Sequence, residues 1–181
     1  PKLEATATEM EQDLKRLNKI VARFSKIGSK PDLREENLND VIGGVIKYFE
    51  KRIPQTGKHI SLSLDASKVH TAKINRELFE WVLENLMKNA LDAIEDGAGK
   101  ISFAILEREK ALYIDVIDTG KGIEPKRRKD IFRPGYSTKQ RGWGLGLSLS
   151  KRIIENYHRG KLSLKESTLR KGTTFRIKLQ K

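Results

Sequence analysis

Asn85 and Asn89 stand one helical turn apart in a run of apolar residues at helical spacing, so both carboxamides fall on one side of a helix. Downstream, in order, come Asp118-Thr-Gly-Lys-Gly122, Phe132-Arg-Pro-Gly-Tyr-Ser-Thr-Lys139 and Gly142-Trp-Gly-Leu-Gly-Leu147. A carboxamide oxygen is a neutral hard donor that can complete the shell of a Mg2+ ion already carrying phosphate oxygens and water. Asp118 follows alternating apolar residues and precedes two glycines, so its carboxylate emerges at a strand end, where it can accept a hydrogen bond from an amino group such as that of adenine. Gly142, Gly144 and Gly146 lead into a helix whose first amides can face phosphate, with Lys139 and Arg141 just upstream as cations. Together these parts can hold a nucleoside triphosphate.

Taken singly, each feature also has a plainer reading. Asn89 also reads as a solvent-facing amide, Asp118 as an Asp-Gly turn bonding its own backbone, and Lys139 and Arg141 as a solvated basic loop. The usual phosphate loops are excluded. Gly99-Lys100 has Ile94 where a Walker loop needs its first glycine, and no strand directly precedes Gly142.

Several elements must position these residues. Leu3, Met10, Leu14, Leu17, Val21, Phe24 and Ile27 form one stripe on a predicted N-terminal helix, which Gly28 and Pro31 end. A second helix is predicted over Leu38 to Glu50, capped by Asn37 or Asn39, and a third from about Asn75 to Glu95, ended by Gly97 and Gly99. Ile60, Leu62 and Leu64 alternate with serines as in a half-buried strand. Residues 101–105 and 112–116 alternate likewise across a turn near Glu109 and Lys110, which reads as a hairpin. A short basic helix near Pro125 to Phe132 and a polar, mobile loop to Gly142 follow, then a helix from about Gly144 to Tyr157 and strands around Lys161 to Glu166 and Thr173 to Leu179. This alternation implies an α+β fold, a mixed sheet covered by helices on one face.

The chain has 181 residues, 37% of them hydrophobic, which excludes a disordered protein and allows one globular domain with a helical arm. It has no cysteine, so disulfides and thiolate metal sites are excluded, and a cytoplasmic setting is the default expectation. No apolar run reaches the length of a membrane span, so any anchor is expected outside these residues. The formal charge of +13 raises the possibility of a nucleic-acid partner, but the longest basic run, Lys126 to Lys129, has neither aromatic stacking partners nor zinc-finger spacing. It reads as a solvated face; no nucleic-acid partner is expected, and the excess charge is left without an assigned role.

In their order, the segments resemble the ATP-binding catalytic domain of sensor histidine kinases, in the superfamily shared with type II topoisomerases, heat-shock chaperone ATPases and mismatch-repair ATPases. The run Asn85 to Asn89 resembles the asparagine box, Asp118 to Gly122 the first glycine box, Phe132 to Lys139 the phenylalanine box, Gly142 to Leu147 the second glycine box, and Gly172-Thr-Thr-Phe175 the closing motif. The resemblance covers residues 33 to 181. It implies a two-layer α/β sandwich of the Bergerat type, binding ATP with Mg2+ under a lid.

The resemblance further implies that Asn89 meets Mg2+ and the phosphates, that Asn85 and Asp92 share that region, and that Asp118 reads the adenine amino group. Gly120, Gly122 and Ile123 would shape the pocket, with Thr174 near the base. The lid would carry Lys139, Arg141, Gly142, Trp143, Gly144, Leu145, Gly146 and Leu147. Many members have a lysine three residues after the second asparagine and an aromatic residue next; here Asp92 and Ala93 stand there, so phosphate charge falls to Mg2+ and the lid. The form Ala-Leu-Asp-Ala-Ile is similar to the nitrogen-regulation branch.

Residues 1 to 29 resemble the second helix of the dimerisation and histidine-phosphotransfer domain, which implies a possible homodimer. The acceptor histidine belongs on the first helix, and none of His59, His70 or His158 has its context. The expectation is a kinase core that transfers the γ-phosphoryl of ATP to a histidine outside these residues, for relay to a response-regulator receiver domain. Asn89 and Lys139 are the expected catalytic residues. Glu84 is a local acidic candidate, although it precedes the position used by the topoisomerase-like relatives. The alternative is a nucleotide-binding scaffold without transfer.

Overall fold

A computed structural model describes residues 32–137 and 144–181. The predicted N-terminal helix lies outside the described residues. Leu33–Lys181 forms one compact unit.

Helix α1, Leu38–Glu50, starts at Asn37, whose side chain accepts from the amides of Asn39 at 3.0 Å and Asp40 at 3.3 Å. It buries Leu38, Val41, Ile42, Val45, Ile46 and Phe49, a single apolar stripe. Asn39, the other candidate cap, instead ties down a distant loop. Its Nδ2 donates to the Lys68 carbonyl and its Oδ1 accepts from the His70 amide. Helix α2, Arg76–Ala93, is capped by Asn75 accepting from Leu78 N, and it buries Leu78, Phe79, Trp81, Val82, Leu83, Leu86, Met87 and Ala90. The shorter α3, Gly146–Arg152, runs into one π turn, Ile153–Tyr157.

Among the described residues, seven strands complete the fold. β1, Arg34–Asn37, and β3, Thr71–Ile74, pair antiparallel as a separate ribbon. The main sheet is ordered β2-β4-β5-β7-β6, with β2 His59–Ala66, β4 Ala98–Arg108, β5 Ala111–Asp118, β6 Lys161–Thr168 and β7 Gly172–Gln180. Only β2 and β4 are parallel, because β3 and α2 cross between them; the other neighbours are antiparallel. Across β4, β5 and β7, Phe103, Val116 and Phe175 share one row and Ile105, Ile114 and Ile177 the next, all buried on the helix-covered face. On the other face Asp115 is buried under Arg176, which donates from Nε at 2.6 Å and Nη2 at 2.7 Å, with Lys165 Nζ at 3.1 Å.

Three local differences from the sequence reading have physical causes. The ribbon strands have four residues each, too few for periodicity to declare itself. Gly99 does not end α2 but lies inside β4, where a Cβ would come within 2.9 Å of Ile94 as the chain leaves the helix. The basic helix after Gly122 is a single 3₁₀ turn, Pro125–Arg127.

His158 locks α3 to α2. Its Nε2 accepts from the Asn75 amide at 3.1 Å while Nδ1 donates to the Ile153 carbonyl at 3.0 Å. Burial lowers its pKa, so the neutral ring is the folded-state form. A depressed histidine pKa costs stability as pH falls through the unfolded value near 6.5. His158→Gln is therefore expected to reduce the loss of stability between pH 7 and 5 while lowering stability at pH 7 by roughly 1–3 kcal/mol, both read from urea denaturation.

Candidate functional site

The helix-facing pattern of β5 ends at Asp118. This strand is central, paired with β4 and β7 over its whole length, so its last carboxylate is held in the sheet while the chain turns away. Asp118 is buried, and its Oδ1 accepts from the Gly120 amide at 2.8 Å. Burial pushes its carboxyl up to about 6, against the opposing pull of backbone donors on Gly120 and Thr173. The Asp-Gly turn of the plainer reading is thus real, but a buried carboxylate held at the edge of ionisation is more than a surface turn needs.

Glycines bring three elements against this turn. A Cβ at Gly120 would lie 2.6 Å from the Ala93 side chain, and one at Gly122 only 2.3 Å from the Thr168 carbonyl oxygen. One at Gly172 would fall 1.8 Å from the Asp118 carbonyl oxygen. Lys121 N donates to the Ala93 carbonyl at the end of α2, and Arg170 N donates to the Lys121 carbonyl from the β6–β7 turn. The Ile123 amide donates to Ser167 Oγ, which sits 2.9 Å from Thr173 Oγ1. Residues 118–123 are therefore fixed between α2 and the β6–β7 turn.

Register separates the two threonines. Thr173 pairs with Asp118 and shares its face, whereas Thr174 pairs with Ile117, faces the other side and donates to Glu166 Oε1 at 3.4 Å. Thr173, not Thr174, is the threonine beside the carboxylate. A two-residue repeat in Gly172-Thr-Thr-Phe175 would reveal this once Phe175 is known to be buried, because Thr173 then shares its face.

On α2, Asn85 and Asn89 lie half-buried one turn apart, and Asp92 is exposed on the next turn. Glu84, also half-buried, sits about 100° round the helix from Asn85. Asn85 Nδ2 donates to Ser150 Oγ of α3 at 3.3 Å, and Gly146 comes alongside, where an added Cβ would be 3.9 Å from Asn85 Cγ. Leu145 is exposed, and Leu147 lies half-buried on α3. Phe132 sets its ring edge-on to Phe175, with centroids 6.2 Å apart, and Lys151 Nζ lies 5.0 Å from the Phe132 ring.

Lys139, Arg141, Gly142 and Trp143 lie outside the described residues. The flanks of that segment meet, however. Gly135 N donates to the Gly144 carbonyl at 3.1 Å, and Gly144, at φ +64°, has no room for a Cβ beside Gly135. Both phenylalanine-box and second-glycine-box flanks are thus anchored next to α2 and β7. The structure brings Asp118, Gly120, Gly122 and Ile123 together between the end of α2 and the β6–β7 turn, and sets Gly146 beside Asn85 in the middle of α2.

Known proteins resemble this chain in sequence and fold. Residues 74–181, more than half of the chain, match the model of the family described as histidine kinase-, DNA gyrase B-, and HSP90-like ATPases. Sporulation kinase D of Bacillus subtilis is 31% identical over 173 residues, covering 94% of this chain and 33% of that protein. Sporulation kinase B of the same organism is 36% identical over 169 residues, covering 92% and 39%. The chain thus spans well under half the length of these curated relatives. Among solved structures, the nucleotide-free catalytic domain of histidine kinase ThkA superposes with a TM-score of 0.71 at 30% identity, covering 82% of this chain and 95% of that one. ThkA in complex with response regulator protein TrrA gives 0.74 at 26% identity, over 94% of this chain and 49% of that one. The chain belongs to the histidine kinase-, DNA gyrase B-, and HSP90-like ATPase family, as an ATP-binding catalytic domain of the sensor histidine kinase kind.

Proposed function

We propose that this chain is the catalytic core of a two-component sensor kinase that binds Mg·ATP and transfers the γ-phosphoryl to a histidine outside residues 1–181. The observation that carries this reading is the buried Asp118 carboxylate, held by backbone donors beside Thr173, at the foot of a helix bearing two amides. A carboxylate so placed has acceptor capacity left over for an exocyclic amino group, and adenine offers one. Thr173 flanks the base in this reading, and Thr174 supports β6 from the opposite face. Gly120 and Gly122 let the pocket floor close against α2 and the β6–β7 turn.

Asn89 and Asn85 would face the triphosphate. No group of three or more His, Cys, Asp or Glu side chains able to hold a metal occurs among the described residues. The donor set instead fits an ion that takes one or two protein oxygens and the rest from phosphate and water. Asn89 would hold the Mg2+ ion, which when bound neutralises charge on the β- and γ-phosphates. Lys139 and Arg141 supply further positive charge from the lid, and Asp92, exposed where many relatives carry lysine, adds none. In transfer, an imidazole nitrogen of the acceptor forms a bond to the γ-phosphorus as the bond to the β,γ-bridging oxygen breaks, leaving ADP. The protein's contribution is alignment and charge stabilisation. Glu84, on α2 next to Asn85, is the candidate proton acceptor for that imidazole.

Residues 1–29 would belong to the dimerisation and phosphotransfer bundle, with the acceptor on a partner helix, and the phosphoryl would pass on to a receiver domain. The solved ThkA structure with its response regulator protein TrrA supports such a partner. No helix among the described residues is long and apolar enough to cross a membrane.

Calorimetry with Mg·ATP analogues should give magnesium-dependent binding that Asp118→Ala weakens about tenfold to a hundredfold and Asn89→Ala at least tenfold, while urea midpoints stay within the folded range. Labelled ATP together with a separate helical domain bearing the acceptor histidine should yield phosphohistidine; tight binding without label would favour the scaffold reading. Because burial raises the Asp118 pKa to about 6, ionising it costs the empty fold stability as pH rises from about 4 to 6, and a bound amino donor recovers part of that cost. Nucleotide affinity is therefore expected to fall as pH drops through 6, with proton release on binding near pH 6 that vanishes at pH 8. Asp118→Asn should remove the proton release attributable to the protein, as read in buffers of differing ionisation enthalpy.

A further inference from the structure

Strand β2 is one edge of the main sheet, and β6 is the other. Edges invite pairing with other chains, and proteins commonly guard them with charge, proline or a bulge. β6 is guarded: it carries Lys161 and Lys165, and its ladder with β7 slips between Leu164 and Glu166. β2 is not. Its eight residues, His59-Ile-Ser-Leu-Ser-Leu-Asp-Ala66, include no lysine, arginine or proline, and its register on β4 runs unbroken from His59 opposite Ala98 to Ala66 opposite Ile105. The His59 amide donates to the Gly97 carbonyl, which sets the parallel ladder so that His59, Ser61, Ser63 and Asp65 bond inward to β4. Ile60, Leu62 and Leu64 therefore turn their amides and carbonyls outward, and no partner for those groups occurs among the described residues. Their side chains are also under-covered. Leu62 and Leu64 stand opposite Ile101 and Phe103, which are fully buried on β4, yet both remain only half-buried. Beside them runs a groove of about 400 Å³ lined by the apolar Ile53, Pro54, Ile60 and Leu62 and by Glu50 and Lys58. On α1, Asn39, Gly43 and Glu50 fall within about 40° of one another around the axis. Asn39 holds the turn after β2 and Glu50 lines the groove at its start, so this flank of α1 runs along the edge. At Gly43 an added Cβ would meet nothing within 4 Å, so the chain's own packing does not require a glycine there.

We propose that the β2 edge pairs with β2 of a second copy of this chain, antiparallel about a two-fold axis at Leu62, joining the two main sheets into one. Self-complementarity selects the register. Leu62 faces Leu62, Ile60 faces Leu64, Ser61 faces Ser63 and His59 faces Asp65, and the members of each pair lie on the same side of the sheet. Ile60, Leu62 and Leu64 fall at the hydrogen-bonded positions, so each of their outward amides finds an outward carbonyl. On the face away from the helices, the His59 ring donates to the Asp65 carboxylate of the second copy, twice by symmetry. A slip of two residues either way keeps the faces matched but parts His59 from Asp65, and a slip of one sets serine against leucine. Leu64 of the second copy, opposite Ile60, comes to the groove beside Ile53 and Pro54, and Gly43 leaves room for the second copy's α1 where the helix layers meet. A second copy is the occupant because its own edge carries the complementary pattern of charge and apolar residues. None of these residues belongs to the proposed nucleotide site or to residues 1–29, so the contact is separate from both.

The test uses the complete 181-residue chain in a dilution series, read by sedimentation velocity and by amide hydrogen exchange. A dimer should form as concentration rises, and the Ile60, Leu62 and Leu64 amides should exchange at least about tenfold more slowly in it than in the dilute chain. The Ser61 and Ser63 amides, bonded to β4, should stay protected throughout. Leu62→Pro removes a central outward donor that no bond within the chain uses, and it should weaken association at least about tenfold. Asp65→Lys, which sets lysine against His59 of the second copy, should weaken it about three- to tenfold, and His59→Asp combined with Asp65→Lys, which exchanges the partners, should restore it. That restoration reads the pairing itself, whether or not the proline variant folds. Protection of the three amides in a species that sediments as monomer would mean that the chain covers its own edge, and a dimer in which they exchange freely would place association on residues 1–29 or another surface. Either result overturns the proposal, as does a chain that stays monomeric with these amides exchanging freely at every concentration.

Discussion

The architecture depends on one constraint: a carboxylate buried at the end of the central strand, with the chain turning sharply away from it. Asp118 keeps its place because β5 is bonded on both sides along its length, so the side chain cannot withdraw to water without breaking ladder pairs. Its partners are backbone amides, which no substitution of a side chain removes. The surrounding close approaches follow. Gly120 against Ala93, Gly122 against Thr168 and Gly172 against Asp118 itself are places where the backbones of three elements nearly touch. The glycines are the condition for a helix end, a strand end and a hairpin turn to meet on one carboxylate.

From that point α2 acts as the shared wall. Its C-terminal end carries the Asp118 turn through the Ala93 carbonyl, its middle carries the two amides, and its N-cap holds His158. In the proposed reading one rigid helix thus spans base recognition, phosphate recognition and the attachment of α3, so the site's parts would keep their spacing even though they come from segments far apart in sequence. This suits phosphoryl transfer, where the protein contributes alignment and fixed charge more than covalent chemistry. In the proposed reading the charge for the phosphates is not built into α2, whose Asp92 has the wrong sign, and would fall to a bound ion and to Lys139 and Arg141.

Much of this was readable in the sequence because it is periodic. The α2 stripe, the β4–β5 hairpin and the alternation of β7 declared themselves in repeats of 3.6 or 2, and Leu78, Val82, Leu86, Phe103, Ile114 and Ile177 among them are buried. The sheet's mixed character followed from consecutive hairpin strands interleaved with helices. The unread parts depend on distance. Asn37 and Asn39 look alike as caps, and only the position of the His70 loop, some thirty residues on, gives Asn39 its other role. Thr173 and Thr174 cannot be told apart without the register of β7 on β5. Ser150 reads as an ordinary helical serine until α3 is laid against Asn85, 65 residues away. Gly99 resembles a helix stop because glycine does end helices; here it relieves a contact with Ile94 inside a strand.

The central claim, that Asp118 recognises the amino group of adenine, is tested most directly by comparing ATP with ITP, in which an oxo group replaces that amine. With magnesium at pH 8, wild-type chain should bind ATP at least about tenfold more tightly than ITP, the cost of facing a carboxylate with an acceptor, and Asp118→Asn should lose most of that preference by weakening ATP and not ITP. Equal affinity of the wild type for the two nucleotides, or a preference that survives Asp118→Asn undiminished, would contradict the account.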